Sequence, residues 1–250
     1  MLLLFHGLTD IGRKRPQNED AWYADPELGL FLVSDGMGGE AAGALAARAT
    51  AEILPELLRR RVPRDAGMDE PAVAHHVHLA LAEISSEFRL RTEGIPSLEG
   101  MGATVVLAWL RRNKALIAHL GDSRAYHLRG DTLRQITQDH TTVRLLLEQG
   151  AITPEEAKIH PGRFQLTRAV GMEGRPLPDI VCVELEAGDR LLLCSDGLSG
   201  GVPTTTLEET LTQGPTPEAI CRRLVDLANQ AGGRDNITAV VVEVAKELEA

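Results

Sequence analysis

The alternation of apolar and polar positions along this chain predicts many short β-strands. Apolar runs bounded by Gly, Pro, Asn and Asp are typical of strands, and consecutive runs joined by tight turns predict antiparallel pairing. The predicted strands cover about residues 2–8, 21–24, 30–34, 103–110, 115–120, 125–128, 132–136, 180–186, 190–194 and 237–244. Residues 25–29 supply a hairpin turn, and the four runs between 103 and 136 predict one antiparallel meander.

Longer stretches with apolar residues three and four positions apart predict helices, which come in pairs. They cover about residues 40–61, 71–91, 141–149, 204–212 and 216–230, with one more after the capping box at Thr153. Pro55 should kink or interrupt the first of them. Paired helices between runs of antiparallel strands predict an α+β fold, in which a central antiparallel β-sandwich is flanked by pairs of α-helices in four α/β/β/α layers. With no long linker, we expect one domain over residues 1–250.

Composition and charge narrow the classes of partner. Hydrophobic residues make up 43% of the chain and charged residues 25%, which predicts an ordered globular protein. The formal charge of −10 argues against nucleic acid and anionic membranes as partners. Residues 1–5 lack a basic region before their short apolar run, so we expect no signal peptide and a cytoplasmic location. Cys182, Cys194 and Cys221 have no patterned spacing, which predicts buried thiols rather than disulfides.

Aspartates occur where predicted strands end. Asp35 and Asp196 each stand in a Ser-Asp-Gly step after an apolar run, Asp122 follows another run, and Asp235 precedes the last strand. Hard divalent cations prefer oxygen ligands, so converging carboxylates without His or Cys favour Mg²⁺ or Mn²⁺. Two such cations sharing a carboxylate could activate water for attack on phosphorus. The alternative is that these aspartates only end strands and close turns.

Arg15 is a candidate phosphate ligand. It lies in a basic cluster close to Asp20, and a guanidinium can bind a phosphoryl group through two parallel hydrogen bonds. The alternative is a solvated basic cluster. The sequence has no Walker-type loop and no set of kinase motifs, and no cysteine is followed by a glycine-rich loop that leads to an arginine. Nucleotide-driven and cysteinyl-phosphate chemistry therefore lack their usual motifs.

Short motifs recur in a fixed order along nearly the whole chain. They are Thr9-Asp10-Ile11-Gly12, Arg15-Pro16-Gln17-Asn18-Glu19-Asp20, Asp35-Gly36-Met37-Gly38-Gly39, Gly102-Ala103-Thr104, Gly121-Asp122-Ser123-Arg124, Leu166-Thr167-Arg168-Ala169, Ser195-Asp196-Gly197-Leu198 and Asp235-Asn236-Ile237-Thr238. In this order they closely resemble the blocks of the PPM, or type 2C, metal-dependent Ser/Thr protein phosphatases, and the compact length resembles the bacterial branch. Each motif alone is weak, but the ordered set is specific.

The resemblance implies a β-sandwich flanked by helix pairs, with two Mn²⁺ or Mg²⁺ ions in the channel between the sheets. Asp35 would bridge both ions. Asp196 and Asp235 would complete the first ion's ligands, and the Gly36 carbonyl would contact the second. A metal-bound hydroxide would attack phosphorus directly, without a phosphoenzyme.

The resemblance also implies roles for residues around this centre. Asp20 would act on the second ion mostly through water, and Asp122 with Asp196 would hold a weaker third ion. Arg15 would orient the phosphate and so join Asp35 and Asp196 as a catalytic residue. The segment at about 150–165 corresponds to a mobile flap thought to influence substrate choice.

Two departures from the family pattern affect these expectations. Many members have His after the first Asp-Gly step, where it is proposed to protonate the leaving alkoxide, but this chain has Met37. The acid is then water or another residue such as His160. Bacterial relatives also commonly have Gly-Gly-His followed by a later Glu, whereas Glu40 and Ala44 stand here, which would alter hydrogen bonding around the ligands and metal affinity.

The sequence thus predicts a Mn²⁺- or Mg²⁺-dependent protein phosphatase that acts on phosphoserine and phosphothreonine. We expect phosphorylated proteins as its partners, including a Ser/Thr kinase, and a monomer as its state. Two alternatives stay open: a catalytically silent binding or sensor module of the same fold, and a phosphohydrolase of small metabolites.

Overall fold

The computed structural model describes residues 2–174 and 176–245, so the predicted domain ends at 1 and 250 lie outside the described residues. Its strands are β1 (Leu3–Asp10), β2 (Asp20–Asp25), β3 (Leu30–Met37), β4 (Gly102–Ala103), β5 (Val105–Arg111), β6 (Lys114–Leu120), β7 (Arg124–Arg129), β8 (Thr132–Gln135), β9 (Asp179–Glu184), β10 (Arg190–Cys194) and β11 (Ile237–Val244). They form two antiparallel sheets. The first has the order β1-β11-β10-β7-β8, and the second has the order β2-β3-β5-β6-β9, with β4 paired to β3.

Helices cover the outer faces of both sheets. They are α1 (Glu40–Arg61), α2 (Pro71–Thr92), α3 (Thr142–Glu148), α4 (Pro154–Ile159), α5 (Asp196–Ser199), α6 (Thr204–Gln213) and α7 (Pro217–Gln230), with 3₁₀ turns at Pro96–Leu98 and Pro161–Phe164. The pair α1 and α2 packs on the second sheet, and the pair α6 and α7 packs on the first. In the described part of the chain, no helix has the length and apolar character needed to cross a membrane.

Strand β3 shows how the layers are held together. Its run from Leu30 to Val33 is fully buried because both faces of the strand are covered. Leu30 and Leu32 pack against the α1–α2 helices, whereas Phe31 and Val33 point the other way, into the core between the two sheets. A third apolar layer lies between the first sheet and α6–α7. The predicted four-layer α/β/β/α sandwich is confirmed.

The predicted meander is wrong as a single unit. Strands β5 and β6 pair in the second sheet, while β7 and β8 pair in the first. The chain changes sheets at Gly121, whose φ of +104° is in the region that favours glycine. A Cβ at Gly121 would lie 2.6 Å from the Thr104 side chain, so only glycine fits. This crossover carries Asp122 to the junction of the two sheets.

Two local expectations also need correction. Pro55 lies inside α1, but the helix continues without interruption from residue 40 to residue 61, because the buried apolar face outweighs one lost backbone hydrogen bond. Cys194 and Cys221 are buried as expected, whereas Cys182 is exposed. It lies on β9, an edge strand of the second sheet most of whose residues are exposed.

Candidate active site

The two Ser-Asp-Gly steps meet at one end of the sandwich. Asp35 lies near the end of β3 in the second sheet, and Asp196 directly follows β10 and Ser195 in the first. The glycines after them, Gly36 and Gly197, allow this approach. A Cβ on either one would lie 2.0 Å from a backbone oxygen of a neighbouring segment. Any larger residue would therefore displace Gly43 of α1 beside Gly36, or Asn236 beside Gly197.

A cavity of about 450 Å³ lies between these strand ends. It is lined by Arg15, Asp35, Gly36, Met37, Thr104, Asp122, Arg163, Phe164, Leu166, Asp196, Arg234 and Asp235. Every residue that the sequence predicted for the site lines this cavity, with the exception of Asp20. The fold thus brings together residues from both sheets and from seven separated segments of the chain.

Asp20 lies behind the cavity wall, opposite Asp35 in the β2–β3 pairing. Its Oδ2 accepts hydrogen bonds from Ser195 Oγ and Thr238 Oγ1, both at 2.7 Å. Its Oδ1 is buried and has no hydrogen-bond partner among the described residues. Burial raises the pKa of Asp20 to about 7, against the two hydroxyl donors, which lower it. This carboxylate therefore lacks a positive partner.

In the described contacts, Asp35, Asp122 and Asp196 in the cavity also lack a positively charged partner. Burial raises the pKa of Asp35 well above its ordinary value, and the charges of Asp20 and Asp196 raise it further. Burial also raises the pKa of Asp196 to about 6, with Asp235 as the next cause. The pKa of Asp122 rises to about 7, again chiefly through burial and then through the charge of Asp196. Asp196 Oδ1 is buried without a hydrogen-bond partner among the described residues.

This donor set fits a hard divalent cation. The lining offers carboxylate oxygens and backbone carbonyls, and neither His nor Cys is among the described residues that line the cavity. A bound cation would give the unpartnered carboxylate oxygens a ligand and would cancel the repulsion that raises these pKa values. Structural ion pairs do not explain the cluster, because only one of its carboxylates, Asp235, has an arginine partner in the described contacts.

Arg15 is that partner, and it stands at the edge of the cavity. Its Nη2 donates to Asp235 Oδ2 at 2.6 Å, and the hydrogen bond to Asp235 is the main cause that raises the pKa of Arg15. The backbone N–H of Asn236 donates to the other oxygen, Asp235 Oδ1, at 2.8 Å. The Arg15 side chain is 48% exposed, so its remaining N–H donors can reach an incoming anion.

Thr104 links the backbone of Asp35 to Ser123, the residue after Asp122. Its Oγ1 accepts a hydrogen bond from the Asp35 N–H at 3.1 Å and lies 2.6 Å from Ser123 Oγ. Ser123 follows Asp122 at the crossover between the sheets. The sequence identified the Gly-Ala-Thr motif without a role for it, and the structure shows Thr104 fixing the backbone beside two predicted ligands.

His140 holds the crossover from the other side. Its ring Nδ1 accepts a hydrogen bond from the Gly121 N–H at 3.2 Å, and the backbone N–H of His140 donates to the Gly121 carbonyl at 2.9 Å. Burial, and then the neighbouring His119, lower the pKa of His140 to about 4, so the ring is neutral and its Nε2–H faces Asp179 Oδ2 at 3.2 Å. His119, His140 and Asp179 are close enough to hold a metal ion. However, Arg168 Nη1 donates to Asp179 Oδ1 at 2.8 Å and already supplies the positive charge.

Three cavity residues were missed by the sequence analysis. Arg163 and Phe164 come from the 3₁₀ turn in the predicted flap, where the guanidinium lies 4.5 Å from the ring centroid. Arg234 also lines the cavity. The irregular turn carries no periodic signal, so its position could not be derived. For Arg234 the one available signal was its place directly before Asp235.

The candidate general acids separate clearly. Met37 lines the cavity but brings no proton. His160 is not among the described residues that line it, because its Nδ1 accepts from the Gly162 N–H at 3.0 Å and caps the 3₁₀ turn instead. The Glu40 side chain lies outside the described part of the chain, and Ala44 is half-buried in α1, so their effect on metal affinity stays a prediction.

The fold and the site together define a class: an α/β/β/α sandwich with a divalent-cation site between its sheets. Residues 11–241 match the family described as Protein phosphatase 2C. Serine/threonine phosphatase stp of Listeria monocytogenes serotype 4b (strain F2365) is 37% identical over 238 residues, which cover 94% of this chain and 93% of the relative. The chain therefore belongs to the protein phosphatase 2C family.

Solved structures agree with this assignment. The serine/threonine phosphatase PstP/Ppp of Mycobacterium tuberculosis is 38% identical with a TM-score of 0.83, over 98% of this chain and 100% of that one. The serine/threonine phosphatase of S. agalactiae is 29% identical with a TM-score of 0.89, over 97% and 99%. The PstP catalytic domain in complex with two manganese ions is 37% identical with a TM-score of 0.80, over 98% and 99%.

Proposed function

We propose that this chain hydrolyses phosphoserine and phosphothreonine esters in proteins, with divalent cations held by its aspartate cluster. The observation that carries the proposal is the cavity in which Asp35, Asp122, Asp196 and Asp235 converge beside Arg15. The names of relatives support the substrate class, because stp and PstP are both called serine/threonine phosphatases. The PstP complex with two manganese ions supports the cation.

The proposed ligands follow the geometry of the cluster. They are Asp20, Asp35, Gly36, Asp122, Asp196 and Asp235. Asp35 would be shared by two Mn²⁺ or Mg²⁺ ions. The charges of the neighbouring carboxylates all raise the pKa of Asp35. Asp20 lies behind the cavity wall and would act through water. Asp122 and Asp196 would hold a weaker third ion, since the charge of Asp196 raises the pKa of Asp122.

When bound, the cations would neutralise phosphate charge and lower the pKa of water enough to supply a nucleophile at neutral pH. The chain's own residues bind and orient the ester. Arg15 is placed to grip two phosphate oxygens, and Arg163 and Arg234 add positive charge to the cavity that receives the dianion. The phosphate is thus held by arginines while the carboxylates face the reacting centre.

Two other features narrow the mechanism. Cys194 is fully buried and burial raises its pKa to about 12, so it is not a nucleophile. Met37 brings no proton and His160 caps a turn, which leaves water as the acid for the departing alkoxide. A silent binding module is disfavoured because the aspartates Asp35, Asp122, Asp196 and Asp235 all line the cavity together with Arg15.

The test is an activity assay on purified protein with p-nitrophenyl phosphate, a phosphothreonine peptide and a free nucleotide. We expect Mn²⁺-dependent release of phosphate from the first two, abolished by chelator and lowered at least about 100-fold by Asp35→Asn. Asp131→Asn, an exposed turn residue, is the matched control and should behave as the wild type. Phosphate release that ignores chelator and Asp35→Asn would refute the proposal. Turnover of the nucleotide in preference to the peptide would favour a metabolite phosphohydrolase.

Phosphorylated proteins are the partners that follow from this activity. That a Ser/Thr kinase is among them stays a prediction, as do the monomeric state, the cytoplasmic location, the single domain and the flap at 150–165. Incubating the enzyme with an autophosphorylated Ser/Thr kinase and following loss of its phosphate would test the kinase prediction directly.

A further inference from the structure

A second cavity opens beside the catalytic one. It has a volume of about 880 Å³, and Met37 lines both cavities. Its other walls are the C-terminal turns of α2, residues 99–101 and residues 171–173. Because Met37 borders both cavities, a polypeptide whose phosphorylated side chain enters the first is positioned to reach the second.

The walls of this second cavity are fixed by hydrogen bonds. Arg89 Nη1 donates to the Met172 carbonyl at 3.0 Å and to the Gly174 carbonyl at 2.9 Å. The Gly171 N–H donates to Ser85 Oγ at 2.9 Å. Segment 171–174 is therefore tied to α2 before any ligand arrives, which lowers the entropy cost of binding. Arg89 Nη2 also donates to Ser86 Oγ at 3.3 Å, so both terminal nitrogens of this guanidinium are engaged.

The floor of the cavity is rich in methionine. Three of the five methionines of the chain line it: Met37, Met101 and Met172. We call this cavity the methionine groove. Methionine is flexible and polarizable, so such a surface accommodates apolar side chains of different shapes. Leu90 at the rim is 68% exposed and extends the apolar surface.

The rim of the methionine groove is acidic. Glu93, Glu99 and Glu173 line it, and all three are exposed. Their carboxylates form no hydrogen bond or ion pair with another residue in the part of the chain that the structure describes. Among the described residues that line the groove, Arg89 is the one cation, and the three carboxylates outnumber it. The groove is therefore complementary to a positively charged segment and repels an acidic one.

We infer that the methionine groove binds the substrate chain beside its phosphorylated residue and selects segments with an apolar side chain followed by lysine or arginine. This inference rests on the proposed phosphatase function and adds the class of sequence that the enzyme prefers. The catalytic cavity recognises the phosphate through arginines, and the groove recognises the flanking chain through methionines and glutamates. The arginines of the catalytic cavity and the glutamates of the groove together set the orientation of the substrate.

The test compares phosphothreonine peptides that differ only in one flank. One carries Leu-Lys-Lys and the other Ser-Glu-Glu, each placed on the N-terminal or the C-terminal side. With Mn²⁺ saturating, the wild type should hydrolyse the Leu-Lys-Lys peptide of one orientation with at least about tenfold higher kcat/KM, mainly through KM. The double variant Glu99→Gln/Glu173→Gln should lower this ratio about fivefold, in line with partly exposed ion pairs.

A control variant, and the ratio of kcat/KM for the two peptides measured with each variant, make the outcome decisive. Glu209→Gln removes one exposed carboxylate on α6, on the opposite side of the sandwich, and should keep the wild-type ratio. Because both peptides are measured with the same variant, the ratio does not depend on how much enzyme is folded. Equal kcat/KM for both flanks, or a ratio that survives in the double variant, would overturn the inference. Failure to hydrolyse p-nitrophenyl phosphate and every peptide would instead refute the proposed function.

Discussion

Removing one charge from the aspartate cluster should stabilise the cation-free protein at neutral pH and abolish its response to Mn²⁺. Asp35 is the residue to change, because burial and the charges of four neighbouring carboxylates all raise its pKa. Asp35→Asn keeps the size of the side chain and removes its charge. The variant therefore separates the cost of the cluster to folding from its use in cation binding.

The size of the effect follows from the pKa values. An unfolded aspartate loses its proton near pH 4, whereas Asp20 and Asp122 keep theirs up to about pH 7. Between these values the folded state binds more protons than the unfolded state, so this contribution to stability is present below about pH 4 and is lost as the pH rises to 7. For Asp20, the rise from 3.8 to about 7 corresponds to about 4 kcal/mol.

Thermal unfolding in EDTA at pH 5, 6, 7 and 8 measures this directly. The Tm of the wild type should fall from pH 5 to pH 8. The Tm of Asp35→Asn should fall less, and at pH 8 it should exceed the wild-type Tm by about 5 °C, or about 2 kcal/mol. Mn²⁺ should raise the wild-type Tm at pH 8 and leave the variant unchanged. Asp131→Asn should track the wild type. A wild-type Tm in EDTA that rises over this range, or a variant still stabilised by Mn²⁺, would refute the reasoning.

Three further substitutions test the support around the cluster. Thr238→Val removes one of the two hydroxyls that donate to the Asp20 carboxylate, so Mn²⁺ activation should weaken about tenfold in a metal titration. Wild-type affinity would count against this role. His140→Ala leaves the buried Gly121 N–H without its acceptor and should cost about 1–3 kcal/mol in urea unfolding; an unchanged midpoint would contradict it. Gly197→Ala should prevent folding, because its Cβ would meet a backbone oxygen at 2.0 Å, whereas Gly130→Ala, with open space around it, should cost only about 1–2 kcal/mol for its positive φ. Similar unfolding midpoints for these two alanine variants would count against the packing argument.

Local patterns in the sequence predicted those parts of the fold that depend on local physics. The run from Leu30 to Val33 is apolar at every position, which is typical of a strand covered on both faces, and β3 has this property. The capping box at Thr153 appears as predicted, with both of its hydrogen bonds formed. The aspartates next to predicted strand ends, Asp35, Asp122, Asp196 and Asp235, all line the cavity.

The features that the sequence did not predict depend on contacts between distant segments. Nothing in the run from 103 to 136 shows that the chain leaves one sheet and joins the other at Gly121, because β7 pairs there with β10, which lies far away in sequence. Thr9 and Thr238, 229 residues apart in sequence, lie 2.7 Å apart through their hydroxyls. Such pairs are set by the packing of complete sheets, and periodicity within a short window carries no information about them.

Anomalous X-ray scattering from a crystal grown with Mn²⁺ tests the central claim most directly. We predict at least two manganese peaks in the cavity, with carboxylate oxygens of Asp35, Asp196 and Asp235 about 2.0–2.3 Å from the nearest ion. In crystals of Asp35→Asn these peaks should be lost or strongly reduced. Manganese absent from the aspartate cluster, or bound instead at His119, His140 and Asp179, would contradict the account.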